Sequence, residues 1–253
     1  ALSSLTALTR GTTNLLTVRH SVLHKFGDKY KIKPMRKTPI SPGEYYHILN
    51  RGNDKQNIFR DDRDRVRFLF LLLYLQGEDS FPNAGRVVTH FVRHRVFNID
   101  PETVKKIADR KRTELVSFIL MPNHFHLLVG ERSEGGIARH MQRVLNAYTK
   151  YFNTRYKRSG HLFQGPYRAV HLKDNDQLLY TSAYIHRNCR TLPDWKNKEK
   201  LYPWSSLQDY ITKDRWSGLL EKELIQEQFP NPNEYEKWII ESGAKDPIKP
   251  IET

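Results

Sequence analysis

Two histidines, His124 and His126, lie one residue apart within the apolar run LMPNHFHLLVGE at residues 120–131. Side chains alternate between the faces of a β-strand, so both imidazoles would point the same way and Phe125 would enter the opposite layer. Two imidazoles about 7 Å apart along the backbone can converge on one divalent metal ion. The pair alone is not specific, because a chain with 11 histidines produces this spacing by chance and two hydrogen-bonded strand histidines give the same pattern.

A strong excess of basic residues points to a polyanionic partner. Lys and Arg number 42 against 28 Asp and Glu, a formal net charge of +14, which favours binding to nucleic acid. The segment RHMQRVLNAYTKYFNTRYKR at 139–158 interleaves cations with aromatic rings, which is typical of surfaces that follow phosphates and stack on unpaired bases. An ordinary amphipathic helix with a solvated basic face has the same pattern.

Other classes of protein are disfavoured by composition. The one cysteine, Cys189, cannot form a disulfide within the chain, which is consistent with a reducing compartment. The longest apolar run, FLFLLLYL at 68–75, is far shorter than the roughly 20 residues of a membrane span. We therefore expect no membrane partner.

The chain alternates between strand-like and helix-like segments that could position these residues. GEYYHILNRG predicts a strand and a turn, and DDRDRVRFLFLLLYLQG predicts a helix closed by Gly77. ELVSFILMPN and HFHLLVGE predict either two strands of a hairpin or one irregular strand. A basic helix, the strand YRAVHLK and the helix DNDQLLYTSAYIHRNCR follow. This order predicts an α+β, ferredoxin-like sandwich in which helices cover one face of an antiparallel sheet.

Three parts of the chain differ in pattern. We expect residues 1–42 to form an N-terminal extension outside the fold, in part because the first methionine is Met35. Residues 43–212 form the main domain, with an insertion at about 77–113, and residues 213–253 form a peripheral C-terminal appendage. Within the insertion, Asp100 and Pro101 predict the start of a helix.

Five ordered blocks resemble a known family. They lie between residues 45 and 210 and read YYHILNRGNDKQNIFRDD, MPNHFHLLV, GHLFQGPYRAV, LLYTSAYIHRNC and YPWSSLQDY. Together they resemble the HUH single-tyrosine transposases, in particular the REP-associated tyrosine transposases. The resemblance implies an HUH nuclease fold that cuts single-stranded DNA beside a hairpin through one tyrosine and one divalent metal ion. It also implies a bacterial, cytoplasmic protein that is associated with the nucleoid when bound to DNA.

The resemblance implies a set of site residues. The family motif Tyr-Ile-His-x-Asn-Pro, whose first tyrosine is the nucleophile, is matched by YIHRNC at 184–189. The match extends through Asn188 and departs at Cys189, which affects where the helix ends. Tyr184 and Asn188 are spaced i, i+4 and share one helix face. Tyr184, His124 and His126 are thus the expected catalytic residues, and His124, His126 and Asn188 the expected ligands of Mg²⁺ or Mn²⁺.

Four other tyrosines compete for the role of nucleophile, and three have structural explanations. Tyr148 and Tyr151 follow the apolar spacing of a helix, which predicts packing in the core or at its rim. Tyr180 precedes Tyr184 by four residues and is expected to pack beneath it. For Tyr156, stacking on a base and capping of the helix end both stay open.

The implied reaction is metal-assisted attack by Tyr184 on a DNA phosphate, which leaves a 5′-phosphotyrosine link and a free 3′-hydroxyl. The expected partner is single-stranded DNA with a REP-like hairpin, bound by a monomer or a homodimer. Two alternatives stay open: a nuclease in which water attacks, and a non-catalytic or domesticated hairpin-binding protein.

Eight side chains are expected to contact DNA, because they are basic or polar and lie in the basic helix, the loops beside it or the strand that follows. They are Arg51, Asn53, Lys150, Arg155, Lys157, Arg158, His161 and Arg168. Gly52 would allow close backbone approach. His47, which shares a strand side with Leu49, is assigned no role.

Overall fold

The structure is a computed structural model that describes residues 39–79 and 83–244. Most of the expected N-terminal extension, residues 1–38, therefore lies outside the described residues. Within them the chain forms four strands, β1 (Tyr45–Arg51), β2 (Thr113–Met121), β3 (His124–Glu131) and β4 (Arg168–Leu172). The sheet order is β2–β3–β1–β4, and every neighbouring pair is antiparallel.

The helices complete a β-α-β-β-α-β pattern with additions. They are α1 (Asp62–Tyr74), α2 (Ala84–His94), α3 (Pro101–Asp109), α4 (Gly136–Arg155), α5 (Asn175–Arg187), α6 (Leu207–Ile211), α7 (Glu223–Gln226) and α8 (Pro232–Glu241). The order of elements and the sheet order are those of a ferredoxin-like sandwich, so the predicted fold class is confirmed. The stretch predicted to be an insertion, residues 77–113, contains α2 and α3.

Local sequence explains where the first helices begin. The Asp61 carboxylate accepts a hydrogen bond from the Asp64 backbone N–H and caps α1. The apolar run at 68–75 is buried along its whole length. The Asp100 carboxylate caps α3 in the same way, and Pro101 occupies its first turn, as the sequence predicted.

The two faces of the sheet are covered by different helices. Phe125 packs against Phe68 of α1, and Phe68 packs in turn against Tyr148 of α4. The two helices of the ferredoxin-like repeat therefore share the Phe125 face. His126 points to the other face, where its ring meets that of Tyr184 on α5. The expectation of helices on one face thus holds for α1 and α4, and α5 adds a layer on the opposite face.

A tight hairpin turn of Pro122 and Asn123 separates β2 from β3. Of the two predictions for this region, the hairpin of two strands is therefore confirmed. The Pro122 carbonyl accepts hydrogen bonds from the Ile58 and Phe59 N–H groups, and the Asn123 carbonyl accepts one from the Gly52 N–H. A Cβ atom at Gly52 would lie 2.3 Å from the Gln56 carbonyl oxygen. Glycine is therefore required here by packing within the protein.

The segment after β4 is packed against the domain. Tyr235 of α8 is fully buried, and its hydroxyl lies 2.8 Å from the Ser182 hydroxyl and 2.9 Å from His186 Nδ1. The other ring nitrogen of His186 lies 2.8 Å from the Ser206 hydroxyl. The part of the expected appendage that the structure describes thus helps to hold α5 in place. No helix in the described residues is long and apolar enough to cross a membrane.

Candidate active site

Four side chains from β3 and α5 meet on the histidine face of the sheet. The Nε2 atom of His124 lies 3.2 Å from the Asn188 amide oxygen, and the Asn188 amide nitrogen donates to the Tyr184 hydroxyl at 2.9 Å. That hydroxyl lies 3.4 Å from Nε2 of His126. The sequence-predicted imidazoles, amide and phenol are therefore brought together within one chain.

The end of α5 explains how Tyr184 and Asn188 come to act together. Their i, i+4 spacing places both side chains on one face of the helix. Asn188 is the C-terminal cap of α5 and the first residue of a short 3-10 helix at Asn188–Thr191. Cys189, where the family has proline, is fully buried in that 3-10 turn, and burial raises the pKa of its thiol to about 11. The substitution leaves the two site residues in contact.

Most of the site is buried, yet it opens to two clefts. Tyr184 and Asn188 are each 8% exposed and His126 is 4% exposed. A cleft of about 680 Å³, here called the catalytic cleft, is lined by His124, His126 and Tyr184 together with Arg51 and Arg168. A smaller cleft of about 420 Å³ touches His124, Tyr184 and Asn188 from another side. The ring of Tyr184 is thus packed while the residue still borders solvent-filled space.

Burial keeps His126 neutral. Desolvation lowers the pKa of His126 well below its ordinary value, and the nearby His47 and His124 lower it further. Burial, with a smaller contribution from Arg168, lowers the pKa of His47 to about 3. A neutral imidazole has a lone pair on one nitrogen, which is the form that binds a metal ion.

Within the described residues, no cluster of three or more His, Cys, Asp or Glu side chains could hold a metal ion. The candidate set instead combines two imidazole nitrogens with the amide oxygen of Asn188. The amide oxygen suits a hard ion such as Mg²⁺ or Mn²⁺, and the imidazole nitrogens suit a divalent transition metal. These donors would fit one divalent ion.

His47 is the residue of this site that the sequence did not reveal. It is fully buried in β1, and its Nε2 atom lies 2.9 Å from Nδ1 of His126. Because Leu49 is the cross-strand partner of His126 and His47 that of Leu128, all four residues share one face. The alternation of side chains along β1 predicts that His47 and Leu49 share a face. The sequence does not predict that β1 pairs with β3, and this pairing brings His47 to His126.

Three of the competing tyrosines lie around one buried carboxylate on the other side of the sheet. The hydroxyls of Tyr151 and Tyr156 donate to Asp64 at 3.0 and 2.8 Å, and Tyr148 donates to the Ile58 carbonyl. Tyr156 is also the C-terminal cap of α4, which favours the capping reading. Tyr180 is 39% exposed, so the structure does not bury it beneath Tyr184.

The expected DNA-binding residues separate into three groups. Arg51 and Arg168 line the catalytic cleft. Asn53, Lys150 and His161 line a groove of about 820 Å³, here called the side groove, which shares the loop 164–166 with that cleft.

The remaining three follow or end α4. Lys157 is exposed, and the Arg158 guanidinium lies over the Phe152 ring. Arg155 is held by Asp61 and Asp64 through contacts of 2.6 Å. Those ion pairs give Arg155 a structural role, and we leave it out of the surface proposed for DNA.

Comparison with known proteins shows what the chain is similar to. Residues 87–188, which include His124, His126, Tyr184 and Asn188, match the model of the IS200-like transposase family. The resemblance drawn from the sequence is thereby confirmed, because the segment that contains the site residues is similar to the IS200-like transposases. Among solved structures, the chain is similar to one described as a REP-associated tyrosine transposase bound to a REP hairpin, with 12% identity and a TM-score of 0.46. The similarity covers 73% of this chain and 88% of that one. A search of curated proteins finds no match.

Proposed function

We propose that this protein is a transposase of the REP-associated type that binds a single-stranded DNA hairpin and cuts and rejoins the strand beside it. The observation that carries the proposal is the meeting of the Tyr184 hydroxyl with His126 and Asn188 in one site at the edge of a basic cleft. The five sequence blocks that resemble the REP-associated transposases favour that type, because they begin before and end after the segment 87–188 that matches the family model.

Tyr184 acts as the nucleophile in this proposal. Its oxygen attacks the scissile phosphorus, a Tyr–O–P bond forms, and the P–O3′ bond breaks. The phenol proton passes to water, and the departing 3′-oxygen takes up a proton to become a free hydroxyl. One phosphoester bond replaces another, so the reverse reaction can join a new 3′-hydroxyl without ATP.

The histidines and Asn188 support this attack. His124, His126 and Asn188 would hold a divalent ion, and Asn188 in addition directs the phenol through its 2.9 Å hydrogen bond. When bound, Mg²⁺ or Mn²⁺ supplies Lewis-acid stabilisation of the charge that builds up on the phosphate. Arg51 and Arg168 lie in the same cleft, where their guanidinium groups can pair with phosphates on either side of the cut.

The DNA is proposed to cross from the catalytic cleft into the side groove. The two are joined at the loop 164–166. Lys150 and His161 supply cationic and polar contacts in the groove, and the aromatic rings of Phe163 and Tyr167 line it. Cations with aromatic rings suit an unpaired strand, whose bases can stack while its phosphates are neutralised.

A covalent-adduct assay tests the function. Wild type, Tyr184→Phe and the control Tyr180→Phe are incubated with a labelled single-stranded hairpin and Mg²⁺ or Mn²⁺, then separated on denaturing gels. We expect an adduct with wild type and Tyr180→Phe and none with Tyr184→Phe.

The other outcomes identify the alternatives. Cleavage without an adduct would assign the reaction to water attack. Binding without cleavage, unaffected by a chelator, would assign the protein to non-catalytic hairpin binding. An adduct with Tyr184→Phe would move the nucleophile to another tyrosine.

A further inference from the structure

A buried histidine of β1, His47, lies behind the histidine that the proposed function assigns to the metal. The ring of His47 lies 5.0 Å from the ring of His126, centroid to centroid, and 5.8 Å from the ring of Tyr184, which it meets edge to face. The atoms in contact are Nε2 of His47 and Nδ1 of His126, 2.9 Å apart. This contact uses the nitrogen of His126 that faces away from Tyr184 and leaves Nε2 directed at the site.

The chemistry of a neutral imidazole makes this contact decisive. Such a ring carries a proton on one nitrogen and a lone pair on the other. His126 can offer Nε2 to a cation only when its proton is on Nδ1, and a proton there needs an acceptor in a buried site. Nε2 of His47 is in position to accept it.

The neighbouring ligand is arranged in the same way. Nδ1 of His124 lies 2.7 Å from the side-chain oxygen of Asn123, while its Nε2 faces Asn188. An amide oxygen only accepts hydrogen bonds, so the Asn123 oxygen favours a proton on Nδ1 of His124, whereas the Asn188 oxygen favours one on Nε2 until a cation lies between them. Each imidazole thus has a side-chain partner at Nδ1, with Nε2 directed at the same gap.

The far side of the His47 ring sets the cost of this role. Its Nδ1 atom is buried and has no hydrogen-bond partner among the described residues. His47 must carry its own proton on Nδ1 to keep its Nε2 lone pair for His126, so that N–H lacks an acceptor. Binding of the cation to Nε2 of His126 has to offset this cost.

We propose that His47 is a positioning residue that holds His126 in the tautomer with the proton on Nδ1 and the Nε2 lone pair open to a divalent cation. The inference rests on the proposed function in one respect, that His126 is a ligand. His47 itself touches neither the cation nor the DNA in this arrangement. Its role is to fix which atom of His126 faces the site.

The first test reads the tautomer directly in the metal-free protein. Long-range ¹H–¹⁵N spectra, assigned with a His126→Gln variant, distinguish a proton on Nδ1 from one on Nε2. We expect His126 of wild type to carry its proton on Nδ1. A proton on Nε2 would overturn the inference, and this measurement does not depend on any His47 variant folding.

The second test measures Mn²⁺ affinity by electron paramagnetic resonance. His47→Leu removes the acceptor, and we expect it to weaken Mn²⁺ binding by about 10- to 100-fold. His47→Gln, whose amide oxygen can accept the same proton, should restore most of the affinity. The matched control is His140→Leu, since His140 is equally buried but bonds to Thr113 and the Leu72 carbonyl in the opposite layer.

The outcomes separate this inference from the proposed function. A folded His47→Leu protein that binds Mn²⁺ as tightly as wild type would refute the role of His47. An equal loss in His140→Leu would show a general effect of a lost buried ring and would also refute it. Wild type that binds no Mn²⁺ would refute the metal-assisted function instead, while the tautomer spectrum would still decide which nitrogen His47 supports.

Discussion

The Asn188 amide lies between His124 and Tyr184 and contacts both, with its oxygen 3.2 Å from the imidazole and its nitrogen 2.9 Å from the phenol oxygen. One side chain at the end of a helix thus links a proposed cation ligand to the proposed nucleophile. Cation binding and attack by the phenol are therefore both expected to weaken when this side chain is changed.

Asn188→Ala tests that link. It removes an oxygen ligand and the hydrogen bond to the phenol, so we expect adduct formation to slow and Mn²⁺ affinity to fall, each about tenfold or more. Tyr184→Phe should abolish the adduct but keep most of the Mn²⁺ affinity. Asn175→Ala, at the start of the same helix and bonded to Gln228, is the control. Unchanged Mn²⁺ affinity in Asn188→Ala would remove Asn188 from the ligand set.

The two clefts predict which cations bind DNA. Arg168→Ala in the catalytic cleft and Lys150→Ala in the side groove should each weaken hairpin binding. Each should also reduce the slope of log affinity against log salt by about 0.7, the value for one phosphate contact on a single strand. Fluorescence anisotropy over a salt series measures both. Lys105→Ala, on α3 in an ion pair with Asp109, should change neither quantity. Equal slopes for wild type and both cleft variants would place the DNA elsewhere.

The carboxylate of Asp64 is predicted to be a stability determinant. It is fully buried and accepts from Arg155, Tyr151, Tyr156 and the Arg60 backbone N–H. Asp64→Ala leaves these donors without their acceptor, so we expect a loss of about 3 kcal/mol in the free energy of unfolding.

Urea denaturation measures this loss. The matched control is Asp62→Ala, which removes an exposed ion pair with Arg95 and should cost no more than about 0.5 kcal/mol. A similar small effect for both variants would contradict the structural role of the Asp64 cluster.

Buried neutral histidines predict that the protein loses stability in acid. Burial lowers the pKa of His140 to about 4 and that of His186 to about 3, from 6.5 in the unfolded chain. Between pH 6.5 and 4 the unfolded chain takes up protons at these positions and the folded chain does not. The free energy of unfolding therefore falls as the pH falls, by up to about 1.4 kcal/mol per pH unit for each ring.

His140→Gln isolates one of these contributions. The variant should be less stable than wild type at pH 7 but lose stability less steeply below pH 6.5. The slope of its free energy of unfolding against pH should be smaller by the contribution of one histidine. Denaturation curves between pH 4.5 and 7.5 give both slopes, and the contribution of carboxylates cancels in the comparison. Parallel slopes for the two proteins would contradict the prediction.

Local patterns predicted the elements and the faces on which residues lie. Alternation placed His124 and His126 on one side of a strand, and helical spacing placed Tyr184 beside Asn188. Each of these relations spans at most four residues, so the backbone period alone determines it.

The relations that the sequence did not reveal are long-range. His47 meets a residue 79 positions away, and Arg155 is paired with Asp61, 94 positions away. Tyr235 reaches His186 across 49 positions. Strand pairing and helix packing create these contacts, and no periodicity within one segment encodes them. Because the sequence did not reveal the ion pair with Asp61, Arg155 was grouped with the DNA-binding residues on its basic character alone.

The anchoring of α5 by Tyr235, Ser182 and His186 has a kinetic consequence. Because these contacts lie within one chain, the structure pairs the phenol and the imidazoles of the same molecule. On the proposed function, we therefore expect a lone molecule to complete one cut without a side chain from a second copy. The turnover per molecule in a single nicking event should accordingly stay constant as the protein is diluted.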